Sequence, residues 1–434
     1  MQKIEIQNFG PIQNFTMELK QLNIFIGSQA SGKSTIAKSV FFCKAIKDEF
    51  IDYVYQIENR EQNSKIISNM NKNLRKKFIS FFGTTKHMGL FKIKYYISKE
   101  KSISIENSDR GYIQVQFSKT ILNEINKIQK VFDQYLNSKK DNHFNNLELN
   151  NDFLLEDANK KQHYKKIKQS IELIFEDTQI SNYIPAGRSL LTTLSEQLGD
   201  IDSNKLDYLM KIFIEKIKYL KKFFNDDLEA LLEDMKKLSN QKIDFENVNY
   251  TIKKINNIIK GRYKYENGEE KIYINDEDYI KISFSSSGQQ ESIWILLLIY
   301  YFVLNKIETF TIIEEPEAHL YPEAQKEIIE LISLLSNINN NQVIVTTHSP
   351  YILSSLNNLL YAKNILNSTN QTDIEKIVDK KIWLDYNEIN AFFIQDGKAE
   401  NILDTELKLI KAEAIDSASE IINASYDKLF DLDE

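Results

Sequence analysis

Gly27-Ser28-Gln29-Ala30-Ser31-Gly32-Lys33-Ser34-Thr35 is the stretch whose reading decides the fold. It spells Gly-x-x-x-x-Gly-Lys-Ser, follows the apolar run Leu22-Asn23-Ile24-Phe25-Ile26, and precedes a helical pattern carried by Ile36, Ala37, Val40 and Phe41. Strand, loop and helix therefore come in the order that a phosphate cradle needs. The two glycines let the backbone curl so that successive N–H groups face inward, and the helix N-terminus adds partial positive charge. Gly27, Ser28, Gln29, Ala30, Ser31, Gly32, Lys33, Ser34 and Thr35 are all expected around a triphosphate such as ATP. Lys33 would reach the β- and γ-phosphates, and the Ser34 hydroxyl would take one position on Mg²⁺. The plain alternative is a glycine- and serine-rich turn, which the complete match in its proper context outweighs.

Working outward, 434 residues with 42% hydrophobic content can bury a large core and fill two or three structural units. The formal net charge of −7 gives no overall attraction to nucleic acid, so DNA contact would need a local basic face or a partner. One cysteine, Cys43, excludes an internal disulfide framework and a thiolate zinc cluster; its apolar helical setting reads as burial. The residues from Met1 to Ile6 alternate apolar and polar, unlike a secretory signal. The longest apolar run, 293–304, would span only about 18 Å as a helix, short of a ~30 Å hydrocarbon core. A core helix, no membrane association and a cytoplasmic location are the expectation.

In chain order, alternation at Ile4 and Ile6 and at Phe15, Met17 and Leu19 predicts a hairpin turning at Asn8-Phe9-Gly10-Pro11. Alternation at 91–105 and 112–117 predicts a small β element inserted in the lobe, 119–135 a helix, and the polar residues 137–151 a mobile loop. Tyr183-Ile184-Pro185-Ala186-Gly187-Arg188-Ser189 reads as a short strand closing in a turn. Residues 203–260 read as a helical arm or lid, with Leu209, Ile212, Phe213, Ile217 and Leu220 at helical spacing. A hairpin turning at Glu266-Asn267-Gly268, a strand at 391–394 and an acidic amphipathic helix at 412–430 complete the pass.

Three later segments carry chemistry. Phe310-Thr311-Ile312-Ile313-Glu314-Glu315-Pro316 is a buried strand ending in two carboxylates. Glu314 is assigned to the metal, and Glu315 to polarising the water that attacks the γ-phosphate. Gln342-Val343-Ile344-Val345-Thr346-Thr347-His348-Ser349-Pro350 is a second buried strand, from whose end His348 would bond the γ-phosphate or that water. Ser285-Ser286-Ser287-Gly288-Gln289 opens an apolar helix. It is either a serine N-cap or a second anion site, the latter useful if two copies meet head to tail.

Together these segments resemble the ABC-type ATPase heads of the SMC, RecF and OLD-like superfamily, and the stand-alone AAA family ATPases of bacterial anti-phage defence. The resemblance covers roughly 1–45, 183–195 and 270–365. It rests on the opening Asn8-Phe9-Gly10-Pro11-Ile12, the Walker A loop, Ser286-Ser287-Gly288-Gln289 as the signature, Glu314-Glu315-Pro316-Glu317-Ala318-His319-Leu320-Tyr321-Pro322 as Walker B plus D-loop, and Thr347-His348-Ser349-Pro350 as the switch. It departs from the pattern at Glu314, where aspartate is usual, and at Ser287, where glycine is usual. The fold implied is α/β: a P-loop ATPase head with a mixed β-sheet, flanking helices, an antiparallel β subdomain and a helical insertion. Lobes at 1–45 and 261–365, an inserted region at 46–182, a strand and loop at 183–195, the arm at 196–260 and a C-terminal piece at 366–434 are the expected divisions.

The resemblance further implies ATP hydrolysis with Mg²⁺ in a dimer sandwiching two nucleotides, with Ser286, Ser287, Gly288 and Gln289 facing the partner's phosphate. Arg188 would lie near the nucleotide or in a buried ion pair. Only 69 residues follow Ile365, fewer than the ~100 a typical nuclease domain needs, so no intrinsic nuclease is expected. The preferred function is a sensor and scaffold for a separately encoded effector such as a nuclease. The alternative is a RecF- or SMC-like DNA clamp using Lys72, Arg75, Lys76, Lys77, Lys160, Lys161, Lys165 and Lys166, residues that otherwise form a solvated helix face.

Overall fold

The apolar strand before the glycine loop is buried on both faces because it lies inside a sheet. The structure, a computed structural model, describes residues 2–60, 65–145, 152–193, 206–238 and 243–411 and the single positions 424 and 430. In chain order its elements are β1 (Lys3–Phe9), β2 (Ile12–Glu18), β3 (Leu22–Ile26), α1 (Lys33–Arg60), α2 (Ile66–Phe82), β4 (Lys92–Tyr96), β5 (Ser102–Asn107), β6 (Ile113–Phe117), α3 (Lys119–Asn145), α4 (Asp152–Phe175) and β7 (Ile180–Ile184). There follow α5 (Ser189–Thr193), α6 (Tyr208–Leu220), α7 (Leu228–Leu238), α8 (Phe245–Ile259), β8 (Arg262–Glu266), β9 (Glu269–Tyr273), β10 (Tyr279–Lys281) and α9 (Ser287–Leu304). The chain continues through β11 (Thr309–Glu314), α10 (Pro322–Asn337), β12 (Gln342–Thr347), α11 (Pro350–Asn364), β13 (Ile389–Gln395) and β14 (Lys398–Asn401). It divides into two units, Met1–Leu19 with Lys38–Ser181, and Lys20–Ala37 with Asn182–Glu434.

The first unit is built on an antiparallel sheet of order β2-β1-β4-β5-β6. Its alternating strands bury Ile4, Ile6, Ile93, Tyr95, Ile103 and Ile105. The hairpin expected at residues 8–11 is present, with Phe9 opposite Ile12. The strands expected as a small inserted β element continue that hairpin's sheet, because β4 pairs with β1 from Lys3↔Tyr96 to Gln7↔Lys92. An aromatic cluster supplies part of this unit's core, with Phe9 4.7 Å from Phe91 and 4.9 Å from Phe82, ring centroid to centroid. Residues 137–145, expected as loop, belong to α3; 146–151 lie outside the described residues. Cys43 is buried, and burial pushes its thiol pKa up.

In the second unit six strands are ordered β14-β13-β3-β12-β11-β7. β13 pairs parallel with β3, β3 with β12 and β12 with β11, and β14 pairs antiparallel with β13. Strands covered on both faces read as largely apolar runs, which is what 22–26, 309–313 and 342–345 show, interrupted only by Asn23, Thr309, Thr311 and Gln342. One buried polar residue, Asn23 on β3, ties that strand to β12 and β13. The Asn23 amide donates to the Lys20 carbonyl at 2.8 Å and to Val343 at 3.2 Å, and Asn390 donates to its oxygen at 2.8 Å. A slip of one residue would leave those groups unpaired in the core.

The strand expected at 391–394 in the C-terminal piece is β13, which pairs directly with β3, Ala391 opposite Ile24. Within the segment expected as an arm or lid, 196–260, the described residues 206–238 and 243–260 hold α6, α7 and α8, which bury Phe213, Ile217, Leu232, Val248 and Ile255 in the same core as Leu22, Ile24 and the α9 residues. The apolar stripe of α8 packs on α9, whose residues 293–300 are all buried. No helix among the described residues is long and apolar enough to cross a membrane. The hairpin at 262–273 turns at Asn267 and Gly268, both with positive φ, as a two-residue turn requires. The acidic helix expected at 412–430 falls outside the described residues except for positions 424 and 430.

The core role of α8 is testable. Ile255 is fully buried, so Ile255→Ala should lower unfolding free energy by about 2–5 kcal/mol in urea titration. A change near zero would return this segment to a free-standing arm.

Candidate nucleotide site

The parallel register sets the site. Thr347 lies opposite Ile26, and Glu314 opposite Thr346. The residues that follow each strand, Gly27, His348 and Glu315, therefore emerge together at one sheet edge, where ligands of parallel sheets bind.

The loop is shaped by close packing. Gly27 has φ +155°, and a Cβ there would stand 2.0 Å from the carbonyl oxygen of Ile394 on β13. Gly32 (φ 109°) and Ala30 (φ 61°) also adopt positive φ, giving the curl that turns amides inward. The Ser31 hydroxyl is buried without a hydrogen-bond partner. Lys33 opens α1 and is buried; its ammonium donates to the carbonyls of Gly27 at 2.9 Å and Ser28 at 2.7 Å. Burial pulls the Lys33 pKa down, while Glu315, Glu317 and Glu314 pull it up, so three carboxylates face this cation. Ser34 and Ser28 to Ala30 are exposed, and Thr35 is half-buried.

Lys33, His348 and Glu315 form a chain. Lys33 Nζ lies 3.4 Å from His348 Nδ1, and His348 Nε2 lies 3.0 Å from Glu315 Oε1. An ammonium can only donate, so Nδ1 accepts and Nε2 carries the proton toward the carboxylate. Glu315 has φ 44°, unusual for a residue with a Cβ and costing about 1 kcal/mol. Its N–H still donates to Thr346 at 2.8 Å.

Sequence reasoning passed over Glu317. Its Oε1 accepts from the Thr347 hydroxyl at 2.7 Å and from the His348 N–H at 2.8 Å, fixing the backbone that presents the imidazole. Its Oε2 is buried without a partner. The signal was the third carboxylate in Glu-Glu-Pro-Glu. Glu314 is also buried: the Ala186 amide donates to Oε2 at 3.4 Å, and Oε1 has no hydrogen-bond partner. Tyr183 lies beside it; burial, then the Glu314 charge, raise the phenol pKa well above its usual value. Arg188, left open between two roles, is wholly buried and ion-paired with Glu291, Nε to Oε2 3.4 Å.

The signature segment has contacts of its own. Ser286 caps α9, and its capping box with Gln289 satisfies both backbone ends. The Gln289 amide also donates to Ile259 at 2.6 Å. Gly288 is required by packing, since a Cβ would lie 2.7 Å from the His319 carbonyl and 3.2 Å from Leu320. Within one chain, then, this segment is a capped helix start seated on the loop after Glu315, with Ser286 and Ser287 exposed.

Comparison with known proteins bears on this arrangement. A family model described as an AAA ATPase domain matches residues 1–353. The chain belongs to that family. The DNA replication and repair proteins RecF of two Clostridium botulinum strains are each 23% identical over 402 residues, covering 87% of this chain and 95% of theirs. Solved SMC head structures match at lower similarity. One bound to the C-winged helix domain of ScpA is 13% identical with a TM-score of 0.42, covering 93% of this chain and 98% of that one. The Thermotoga maritima SMC head domain is 11% identical with a TM-score of 0.36, covering 92% and 97%. The AAA ATPase domain thus reaches into both units, and the parallel strands β3, β12 and β11 beside the glycine loop lie within it.

Gly27→Ala should cost at least about 2 kcal/mol of stability in denaturant melts, because the methyl meets the Ile394 backbone and the φ is unfavourable. Parent-like stability would show that the loop does not pack on β13 as described.

Proposed function

We propose that the chain hydrolyses ATP at the Lys33, Glu314, Glu315 and His348 edge. We further propose that it works as a dimer or larger assembly controlling a separately encoded effector, a nuclease in an anti-phage setting. The observation that carries the catalytic part is the linked geometry of Lys33, His348 and Glu315 at 3.4 and 3.0 Å. In this reading residues 27–35 wrap the phosphates, and Lys33 turns from the loop carbonyls to the β- and γ-phosphates. Glu315 orients and deprotonates the attacking water, while His348 holds the γ-phosphate or that water and keeps Glu315 in place.

The donor set fits Mg²⁺. Glu314 offers a buried carboxylate oxygen with no hydrogen bond, and Ser34 an exposed hydroxyl at the helix start. No cluster of three or more His, Cys, Asp or Glu suited to a metal occurs among the described residues, and Mg²⁺ held by one carboxylate, a hydroxyl and phosphates needs none. When bound, the ion neutralises charge on the β- and γ-phosphates.

Dimerisation is supported by the exposed Ser286 and Ser287, with Phe284 and Tyr321 81% and 75% exposed in the same unit. In the dimer, Ser286, Ser287, Gly288 and Gln289 would face the partner's phosphate, the helix start supplying a positive end. The step from hydrolysis to effector control runs through the switch: His348 and Thr347 are held by Glu317, and the adjacent Ser349 caps α11. Nuclease chemistry is assigned to the effector.

A second reading, a RecF-like DNA-binding ATPase, has specific support. The curated relatives are named for DNA replication and repair, and Lys72, Arg75 and Lys76 are exposed on one face of α2. Lys165 and Lys166 are exposed on α4, Lys77 is ion-paired with Glu49, and the side chains of Lys160 and Lys161 lie outside the described residues.

Lys33→Ala should weaken ATP binding by about tenfold or more, whereas Glu315→Gln should keep binding and cut turnover about 100-fold, accumulating dimer with ATP. Equilibrium nucleotide binding, phosphate release and light scattering measure these; parent-like hydrolysis by both variants contradicts the assignment. Copurification of a nuclease that separates on ATP turnover supports effector control. Reversing the charge of Lys72, Arg75 and Lys76 should leave DNA affinity unchanged on the first reading. A loss of salt-dependent, ATP-promoted DNA binding favours the second.

A further inference from the structure

Arg188 lies directly behind the two carboxylates at the end of β11. Its side chain is fully buried in the second unit, and its guanidinium is spent on backbone carbonyls. Nη1 donates to Pro185 at 2.6 Å and to Glu314 at 2.7 Å, Nη2 to Glu315 at 2.9 Å, and Nε to Glu291 at 2.8 Å. Two of those carbonyls belong to the consecutive carboxylates that end β11, one of them the residue held at φ 44°.

The arginine is itself fixed from both sides. Glu291 Oε2 accepts the Arg188 amide at 3.0 Å, and Oε1 the Ser189 amide at 2.9 Å. Gly187, with φ 74°, supplies the turn that brings Arg188 under the strand end. Glu291 is in the second turn of α9, whose first turn is the Ser286 capping box. The planar fork therefore ties α9, the 185–188 turn and the Glu314-Glu315 backbone into one unit.

From this geometry we propose that Arg188, oriented by Glu291, is a positioning residue for hydrolysis: its guanidinium holds the Glu314-Glu315 backbone in the strained conformation that aims Glu315 at His348. Any buried guanidinium needs acceptors for its N–H groups, and here those acceptors include the carbonyls of Glu314 and Glu315 themselves. Donation to two successive carbonyls beside the reacting carboxylate is a geometric task, one that the single ammonium of lysine cannot repeat. The proposal rests on the assignment of Glu315 to water activation.

The test compares the full-length parent with Arg188→Lys, Glu291→Gln and Glu315→Gln, measuring kcat and KM for ATP, nucleotide affinity and thermal unfolding. Arg188→Lys should remain folded, bind ATP within about threefold of the parent, and lose about tenfold or more in kcat, the pattern of a lost transition-state alignment. Glu291→Gln, which keeps one acceptor for the amides, should show the same pattern with a smaller loss. A folded Arg188→Lys with parent kcat overturns the proposal, as does a kcat loss matched by equal loss of ATP affinity. If Arg188→Lys does not fold, Glu291→Gln decides by the same criteria; failure of both to fold assigns the pair to stability and overturns the proposal. Glu315→Gln separates the levels: if it hydrolyses ATP like the parent, the underlying site assignment fails, whereas its inactivity beside a parent-like Arg188→Lys refutes only the role of Arg188.

Discussion

Parallel pairing of β3 with β12 and of β12 with β11 is the constraint on which the rest depends. It aligns Ile26 with Thr347 and Glu314 with Thr346, so the chain leaves three strands at the same level. Residues separated by about 300 positions thereby meet without any local sequence link. Asn23 secures this alignment from within the sheet, where a polar side chain is tolerated only because Lys20, Val343 and Asn390 satisfy it. Register and site geometry are one property, since a slip of a residue would turn side chains to the opposite face.

Electrostatics at the edge follow from burial. A buried ammonium at Lys33 and a fully buried guanidinium at Arg188 are each pulled toward lower pKa by loss of water and upward by Glu314, Glu315 and Glu317. Arg188 adds Glu291 to those partners. The two cations divide the work: one faces the loop, the other holds the backbone behind the carboxylates. Ser31, Glu314 and Glu317 each retain a buried oxygen with no hydrogen bond, and such atoms are costly unless a ligand or its shell engages them.

Much of this was legible in the sequence where chemistry and local pattern coincide. The glycine loop, the strand ends at Glu314 and His348, the hairpins at 8–11 and 266–268, and the apolar helix at 293–304 all announce themselves through residue type and period. What escaped was long-range pairing. Nothing near residue 391 says that it lies beside Ile24, and alternation at 91–105 does not say that Ile93 pairs with Ile6. The helices between 208 and 259 show an apolar stripe but not what covers it, so burial against α9 was not visible. Glu317 was overlooked for the opposite reason: its neighbours Glu314 and Glu315 supplied a sufficient account of the motif. Gly288 read as an approach to a partner's phosphate, yet within the chain any larger side chain there would collide with the His319 carbonyl.

The central claim is that one nucleotide is enclosed where these strand ends converge. A crystal structure of the Glu315→Gln chain with ATP and Mg²⁺ tests it most directly. The account predicts the γ-phosphate within hydrogen-bond distance of Lys33 Nζ and His348, the ion beside Ser34 and Glu314, and the substituted side chain at position 315 facing the γ-phosphorus. Nucleotide bound elsewhere, or bound in the loop with His348 and residue 315 turned away from the phosphates, would contradict it.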